Sequence, residues 1–380
     1  MQKINKLKIM MILLPALVTS LHAETFCVSN GKELKAAINI ADSNDQSDVI
    51  KLKIGTYDVL NFGFRYSGVN EDHDLEISGG WVSDNNDECG MIMLGDTLVF
   101  GRSRLFPFVD TDFSLLTINS GSVGNISISN LSIDGGESFD SDSAGLEINI
   151  DSGYSGQVLV ENNVFRGNSS TKGAGLKIEG LFLGEGSTVV VRNNLAYNNE
   201  SESPIYINLG NASGQENMGA YIVNNTVYDN RNYAGGSISE RGGLKVKVNG
   251  SSRAFIANNL LWGNYNNGIN GSDLMLEGTG YKYLFNNDIG VSGGVSADEV
   301  SGNFSVPPIF DGNPLNFRPA PHSAMINAGT MPPNSPQNPP LFSENWELST
   351  LDLAGNPRVS DGTVDVGAIE SDLIFIDGFE

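Results

Sequence analysis

The chain is poor in the residues that build compact metal and nucleophile centres. It holds three histidines and two cysteines in 380 residues. Beyond residue 23 only His73 and His322 remain, far apart in sequence. Cys27 and Cys89 without clustered histidines do not make a zinc site. Basic residues are scarce as well: 22 lysines and arginines stand against 45 acids, a net charge of −23. So acidic a surface repels nucleic acid and anionic membranes at long range. It also disfavours polyanionic glycans unless cations bridge them. Long apolar runs are missing beyond the first residues, so no transmembrane segment is expected in the mature chain.

What is present begins with an export pattern. Lys3, Lys6 and Lys8 precede the apolar stretch Ile9–Val18, and Ser20-Leu21-His22-Ala23 ends in a small residue. Residues 1–23 therefore read as a signal peptide. Its removal takes away three lysines and no acid, leaving 19 basic against 45 acidic residues, a net of −26. Export makes a Cys27–Cys89 disulfide permissible. The expected location is the outer membrane surface or the medium, with the periplasm as the other compartment.

The decisive signal is an internal repeat. Asparagine pairs recur at Asn162-Asn163, Asn193-Asn194, Asn224-Asn225, Asn258-Asn259 and Asn286-Asn287, at steps of 31, 31, 34 and 28 residues. Val160, Val191, Ile222, Ile256 and Leu284 stand two positions before each pair, and Phe165, Ala196, Val227, Leu261 and Ile289 two positions after. Asn168, Asn199, Asn230 and Asn264 form a further column. Each unit then carries a second apolar run that alternates, as in Leu176-Lys177-Ile178-Glu179. Alternation puts apolar side chains on one face and polar ones on the other. Each unit is thus strand, asparagine turn, strand, loop, strand, with no room for a helix. Such units bury a face only by stacking. The predicted fold is an all-β, right-handed parallel β-helix. Asparagine suits its turns because it tolerates left-handed backbone, and stacked amides can bond along the column.

Leu34, Ala37, Ile38 and Ala41 follow helical spacing, so residues 24–47 are expected to form an N-terminal cap with a capping helix. Glu33-Leu34-Lys35-Ala36-Ala37, Asp48-Val49-Ile50 and Gly55-Thr56-Tyr57 resemble the start of bacterial secreted β-helix proteins. Leu75-Glu76-Ile77-Ser78-Gly79-Gly80-Trp81, followed by Cys89, fits the same resemblance. Ser323–Gly329 looks like the segment that closes such solenoids. Asp352-Leu353-Ala354-Gly355-Asn356-Pro357-Arg358, with Val364-Asp365-Val366-Gly367-Ala368-Ile369-Glu370, is similar to the tail of the choice-of-anchor Q β-helix family. The resemblance spans roughly residues 25–370 and implies fold and a surface or secreted setting, with little chemistry. The β-helix is expected over 48–330, a proline-rich linker over 331–340 and a closing segment over 341–371. Residues 372–380, ending Ile374-Phe375-Ile376-Asp377-Gly378-Phe379-Glu380, resemble a terminal sorting tag of exported Gram-negative proteins.

Chemistry is sought on the variable loops, which line up on one flank of a solenoid. A groove there suits a linear polymer. Glycoside hydrolysis needs paired carboxylates; the candidates are Asp229, Glu240, Glu200, Glu202 and Asp140. Polysaccharide lysis needs a base, for which Lys177, Lys245, Lys247, Arg231 and Arg241 are candidates. Asp229, Arg231, Glu240 and Arg241 are the leading catalytic set. Asp134, Glu137, Asp140 and Asp142 have the oxygen ligands calcium takes. Tyr197, Tyr228 and Trp262 share one column, one step beyond Phe165, and should point outward. That row serves either as a platform for sugar rings or as a cross-strand ladder. The chain carries neither the aspartate pair with Gly-His-Gly of pectinase-type β-helices nor the Arg-x-Pro-x-x-Arg of pectate lyases. The expected role is non-catalytic binding of a polysaccharide or cell-surface ligand. The alternatives are a lyase or hydrolase, or an adhesin-like stalk.

Overall fold

Alternating short strands with no helix between them can satisfy their backbones only by pairing with the next copy of themselves. The computed structural model shows that outcome. It describes residues 23–59, 63–68, 72–84, 88–93, 103–107, 113–138, 143–211, 219–231, 242–264, 272–312, 317–331 and 348–371. Asp140, Asp142, Glu240 and Arg241 lie outside the described residues, as do residues 1–22, most of the proline-rich linker and the candidate tag.

The described strands fall into three sheets, each built from one strand per coil. The first sheet runs from Glu24–Val28 through Gln157–Glu161 and Thr188–Arg192 to Glu299–Ser301. The second runs from Gly55–Val59 through Val164–Arg166 to Asp288–Ile289, and the third from Phe64–Tyr66 through Leu176–Leu183 to Ser292–Gly294. Neighbouring strands are parallel, and the register repeats the sequence columns: Ile133, Phe165, Ala196, Val227 and Leu261 are consecutive partners. One short strand, Met91–Ile92, pairs antiparallel with Trp81–Val82. The chain is a parallel β-helix. A single apolar cluster runs up its axis, from Val28, Leu34 and Ile38 to Leu276 and Leu284.

The asparagine pairs divide into two jobs. The first member of each pair takes the left-handed conformation, with φ between 50° and 57° at Asn162, Asn193, Asn224, Asn258 and Asn286. The second points its amide along the stack. Asn163, Asn194, Asn225, Asn259, Asn287 and Asn303 form a ladder in which each Nδ2 donates to the next Oδ1 at 2.8–3.2 Å. The same Oδ1 atoms accept backbone N–H groups of the coil before. Asn168, Asn199, Asn230 and Asn264 build a second ladder that ends on the carboxylate of Asp273. These buried amides satisfy turn groups that the strands cannot reach.

The helix Gly31–Ala41 buries Leu34, Ala37, Ile38 and Ala41 against the first coil, as its spacing predicts. Asn30 caps it by accepting from the Glu33 N–H at 3.0 Å, while Glu33 reaches back to the Ser29 N–H at 2.8 Å. This reciprocal pattern satisfies free donors of the first turn. Cys27 and Cys89 are disulfide-bonded, with Cα atoms 5.8 Å apart.

Beyond Phe304, the last residue bridged to the coil before it, the chain leaves the stack and turns back along the outside of the second sheet. Met325 packs with Leu260 and Val366, and the Ala328 carbonyl accepts from Asn286 Nδ2 at 2.9 Å. The segment Ser323–Gly329 therefore lies on the flank of the coils, where the sequence resemblance had it closing their end. Met325 and Ala328 find an apolar partner in the outward column of that sheet.

Candidate functional site

The aromatic row is the first test of the sequence reading. Tyr197, Tyr228 and Trp262 are consecutive register partners and alternate outward from the core. They do not form an open platform. Phe317 lies 4.8 Å from the Tyr197 ring and 5.9 Å from that of Tyr228, and Phe310 meets Tyr228 edge-on at 5.1 Å. Tyr197 is left 8% exposed. Trp262 packs into a neighbouring cluster with Leu260, Met325 and Val366. The row is the seat of the chain's own C-terminal segment, whose rings and apolar side chains pack on it.

The tail-like motif supplies the fastening. The left-handed asparagines point their amides at it: Asn193 Nδ2 donates to Leu351 O at 2.8 Å, Asn224 Nδ2 to Asp365 O at 3.0 Å and Asn258 Nδ2 to Thr330 O at 3.0 Å. Arg358 is fully buried and donates to Glu370 at 2.6 Å, to Asn193 Oδ1 at 2.8 Å and to the Ala368 carbonyl at 2.7 Å. Asp352 accepts from the Glu370 N–H and Asp365 from the Asn327 N–H. The charged residues of this motif hold structure together.

Asp134, a calcium candidate, is committed elsewhere. Its Oδ2 lies 2.7 Å from Arg104 Nη2 and 2.6 Å from Arg166 Nη2. Two guanidinium groups already balance its charge, which leaves little attraction for a cation. Among the described residues no three of His, Cys, Asp and Glu gather as metal ligands.

The described catalytic candidates, Asp229 and Arg231, occupy the turn between the second and third sheets. Asp229 is exposed, with φ 49°, one step after its strand. Asn198 and Gly167 hold the equivalent places in the coils before it, so the position is set by turn geometry. Glu137, Ser169, Glu200 and Arg231 stack as bridge partners, one per coil, and make a rim beside the third sheet. The structure thus brings Glu137, Glu200 and Arg231 into one column. Glu202 sits farther along the same turn and is half-buried.

The outer face of the third sheet is the remaining polar surface of regular spacing. Successive partners Glu147, Lys177, Tyr206, Lys245 and Met275 form one outward column. Asn119, Asn149, Glu179, Asn208, Lys247 and Glu277 form the next. Lys177 Nζ bridges Glu147 at 3.2 Å and Glu179 at 3.5 Å; Lys245 Nζ meets Glu277 at 2.9 Å and stands 5.8 Å over the Tyr206 ring. Asn208 donates to Glu179 at 2.8 Å, and Asn149 to Asn119 at 3.1 Å. The first column is sheltered, with Tyr206, Lys177 and Lys245 buried, while Asn119, Asn149, Glu179, Lys247 and Glu277 stay half-exposed. Lys177 and Lys245 are ion-paired, which is the arrangement of a charge-balanced strip. Sequence reasoning listed these lysines one by one as bases. Their grouping with Tyr206 and the glutamates was written in the same alternating runs, as the polar member of each.

No protein-family model matches the chain, and no curated protein matches it.

Proposed function

We propose that the chain is an exported surface or extracellular β-helix protein of the choice-of-anchor Q type. In this reading it holds a linear glycan along the outer face of its third sheet without turning it over. The observation that carries the reading is the half-exposed row Asn119, Asn149, Glu179, Lys247 and Glu277. With buried Asn208 between Glu179 and Lys247, the column sets one polar side chain per coil at about 4.8 Å intervals, and a polymer repeats along the same axis. Lys177, Lys245 and Lys247 offset Glu147, Glu179 and Glu277 there, so this strip lacks the negative excess of the chain as a whole. The described part of the C-terminal segment packs on the second sheet. Export is supported by the leader pattern, by the Cys27–Cys89 disulfide and by the lack, among the described residues, of any helix long and apolar enough to cross a membrane.

The rim column Glu137, Glu200 and Arg231 favours a second reading, a polysaccharide lyase or glycoside hydrolase working beside the same strip. A broad polysaccharide panel, incubated with residues 24–380 with and without calcium, separates the two. Retention of a glycan without new reducing ends or unsaturated-sugar absorbance supports binding. New absorbance establishes a lyase, and reducing ends alone a hydrolase. No retention and no products across the panel would leave the stalk reading in possession.

A further inference from the structure

Two buried carboxylates meet where the solenoid ends. Asp273 closes the second amide ladder. Its Oδ1 accepts from Asn264 N at 2.8 Å and Nδ2 at 3.0 Å, and its Oδ2 accepts from Val291 N at 2.9 Å. Burial pushes the Asp273 carboxyl above the usual carboxylate range, and the N–H groups on both its oxygens work against that rise. Asp288 is fully buried, one coil on from Leu260. Its Oδ1 accepts from Val306 N at 3.0 Å, and its Oδ2 is buried with no donor. A carboxylate with one orphaned oxygen in an apolar site favours its neutral form. Burial accordingly raises Asp288 to about 7, with the Asp273 charge adding to the rise.

What these two groups hold is the last turn. Between Val291 and Val306 lie Val295, Val300 and Phe304, which with Ile289 and core Leu276 and Leu284 line an open cavity of about 580 Å³. Val295 and Val300, which line it, are exposed. Phe304 is tied to the same place, its N–H donating to Asn287 O at 3.0 Å and its carbonyl accepting from Ile289 N at 2.9 Å.

We infer that Asp288 is a proton-dependent latch on the final turn. Protonated, Asp288 keeps residues 290–306 on the core; ionised, it stands unpaired beside a second charge and releases them. The direction follows from linkage: a group raised on folding contributes stability below its unfolded value, and that contribution is lost as pH climbs through the folded one, here about 7. Asp273, from the strand Ser272–Glu277, is the charged group that faces it. Leu260, Phe304 and Val306, which flank it from the other elements, are neutral.

Hydrogen exchange on residues 24–380, corrected for intrinsic rates, reads the latch between about pH 5.5 and about pH 8.5. Protection of the Val291 and Val306 amides should fall by roughly tenfold per unit as pH climbs from about 5.5 to about 7 and level off above it, while the Asn225 and Asn259 amides hold theirs. Asp288→Asn keeps an acceptor for Val306 but has no proton to lose, so its protection should be flat. A flat wild-type profile, or a variant that keeps the wild-type loss, overturns the inference. Should the variant fail to fold, carboxyl-carbon titration of the wild type decides: Asp288 titrating near neutrality supports the latch, and an ordinary value of about 4 refutes it.

Discussion

Arg358 and Glu370 meet at 2.6 Å, with the guanidinium fully buried and its second nitrogen on Asn193, 165 residues earlier. This pair pins the C-terminal segment to the stack. Removing one partner strands a buried charge, which costs about 3–5 kcal/mol. Arg358→Met should lower stability by that order in urea and open residues 304–371 to protease. The double variant with Glu370→Met should lose less than Arg358→Met alone, which a double-mutant cycle measures.

The amide ladder makes a different prediction, because each rung serves its neighbours. Asn225 donates to Asn259 and to Val191 O, and accepts from Asn194 N and Nδ2. Asn225→Ala leaves those groups buried and unpaired, at about 1–3 kcal/mol for each unsatisfied partner. Asn225→Asp should be worse at neutral pH, since an oxygen then faces Asn259 Oδ1. Denaturant midpoints of the two variants, compared in one buffer, check the order.

Opening the Cys27–Cys89 bridge frees a loop with a sequence separation of 62. In the chain-entropy account that is about 4 kcal/mol. Denaturation with and without reductant should differ by this order, and Cys27→Ser with Cys89→Ser should reproduce the reduced protein without reductant.

Tyr197 and Tyr206 should part company. Tyr197→Ala removes a ring packed on Phe317 and should destabilise by about 3 kcal/mol while leaving glycan affinity as it was. Tyr206→Ala removes the ring under Lys245 and should weaken glycan binding. Affinity and melting temperature, measured on both variants, form the check.

The contrast between these tyrosines shows where sequence stops being readable. The coil period, the inward columns and the outward aim of Tyr197 follow from spacing and alternation, both local properties of the chain. What covers Tyr197 is Phe317, more than a hundred residues on, and no local pattern announces that contact. Asp134 likewise looks like a free oxygen ligand until register sets Arg104 and Arg166 beside it. The motif from Asp352 to Glu370 stood out, but its task, holding the tail against the left-handed asparagines, appears only once both are in place. The disulfide was legible because few cysteines leave few choices.

The most direct test of the account is carboxyl footprinting of residues 24–380 with and without the tightest glycan of the panel. The account predicts protection at Glu179 and Glu277 on the third sheet, with Glu299 at the first sheet's edge unchanged. Protection confined to other faces, with Glu179 and Glu277 labelled as in the free protein, would contradict it.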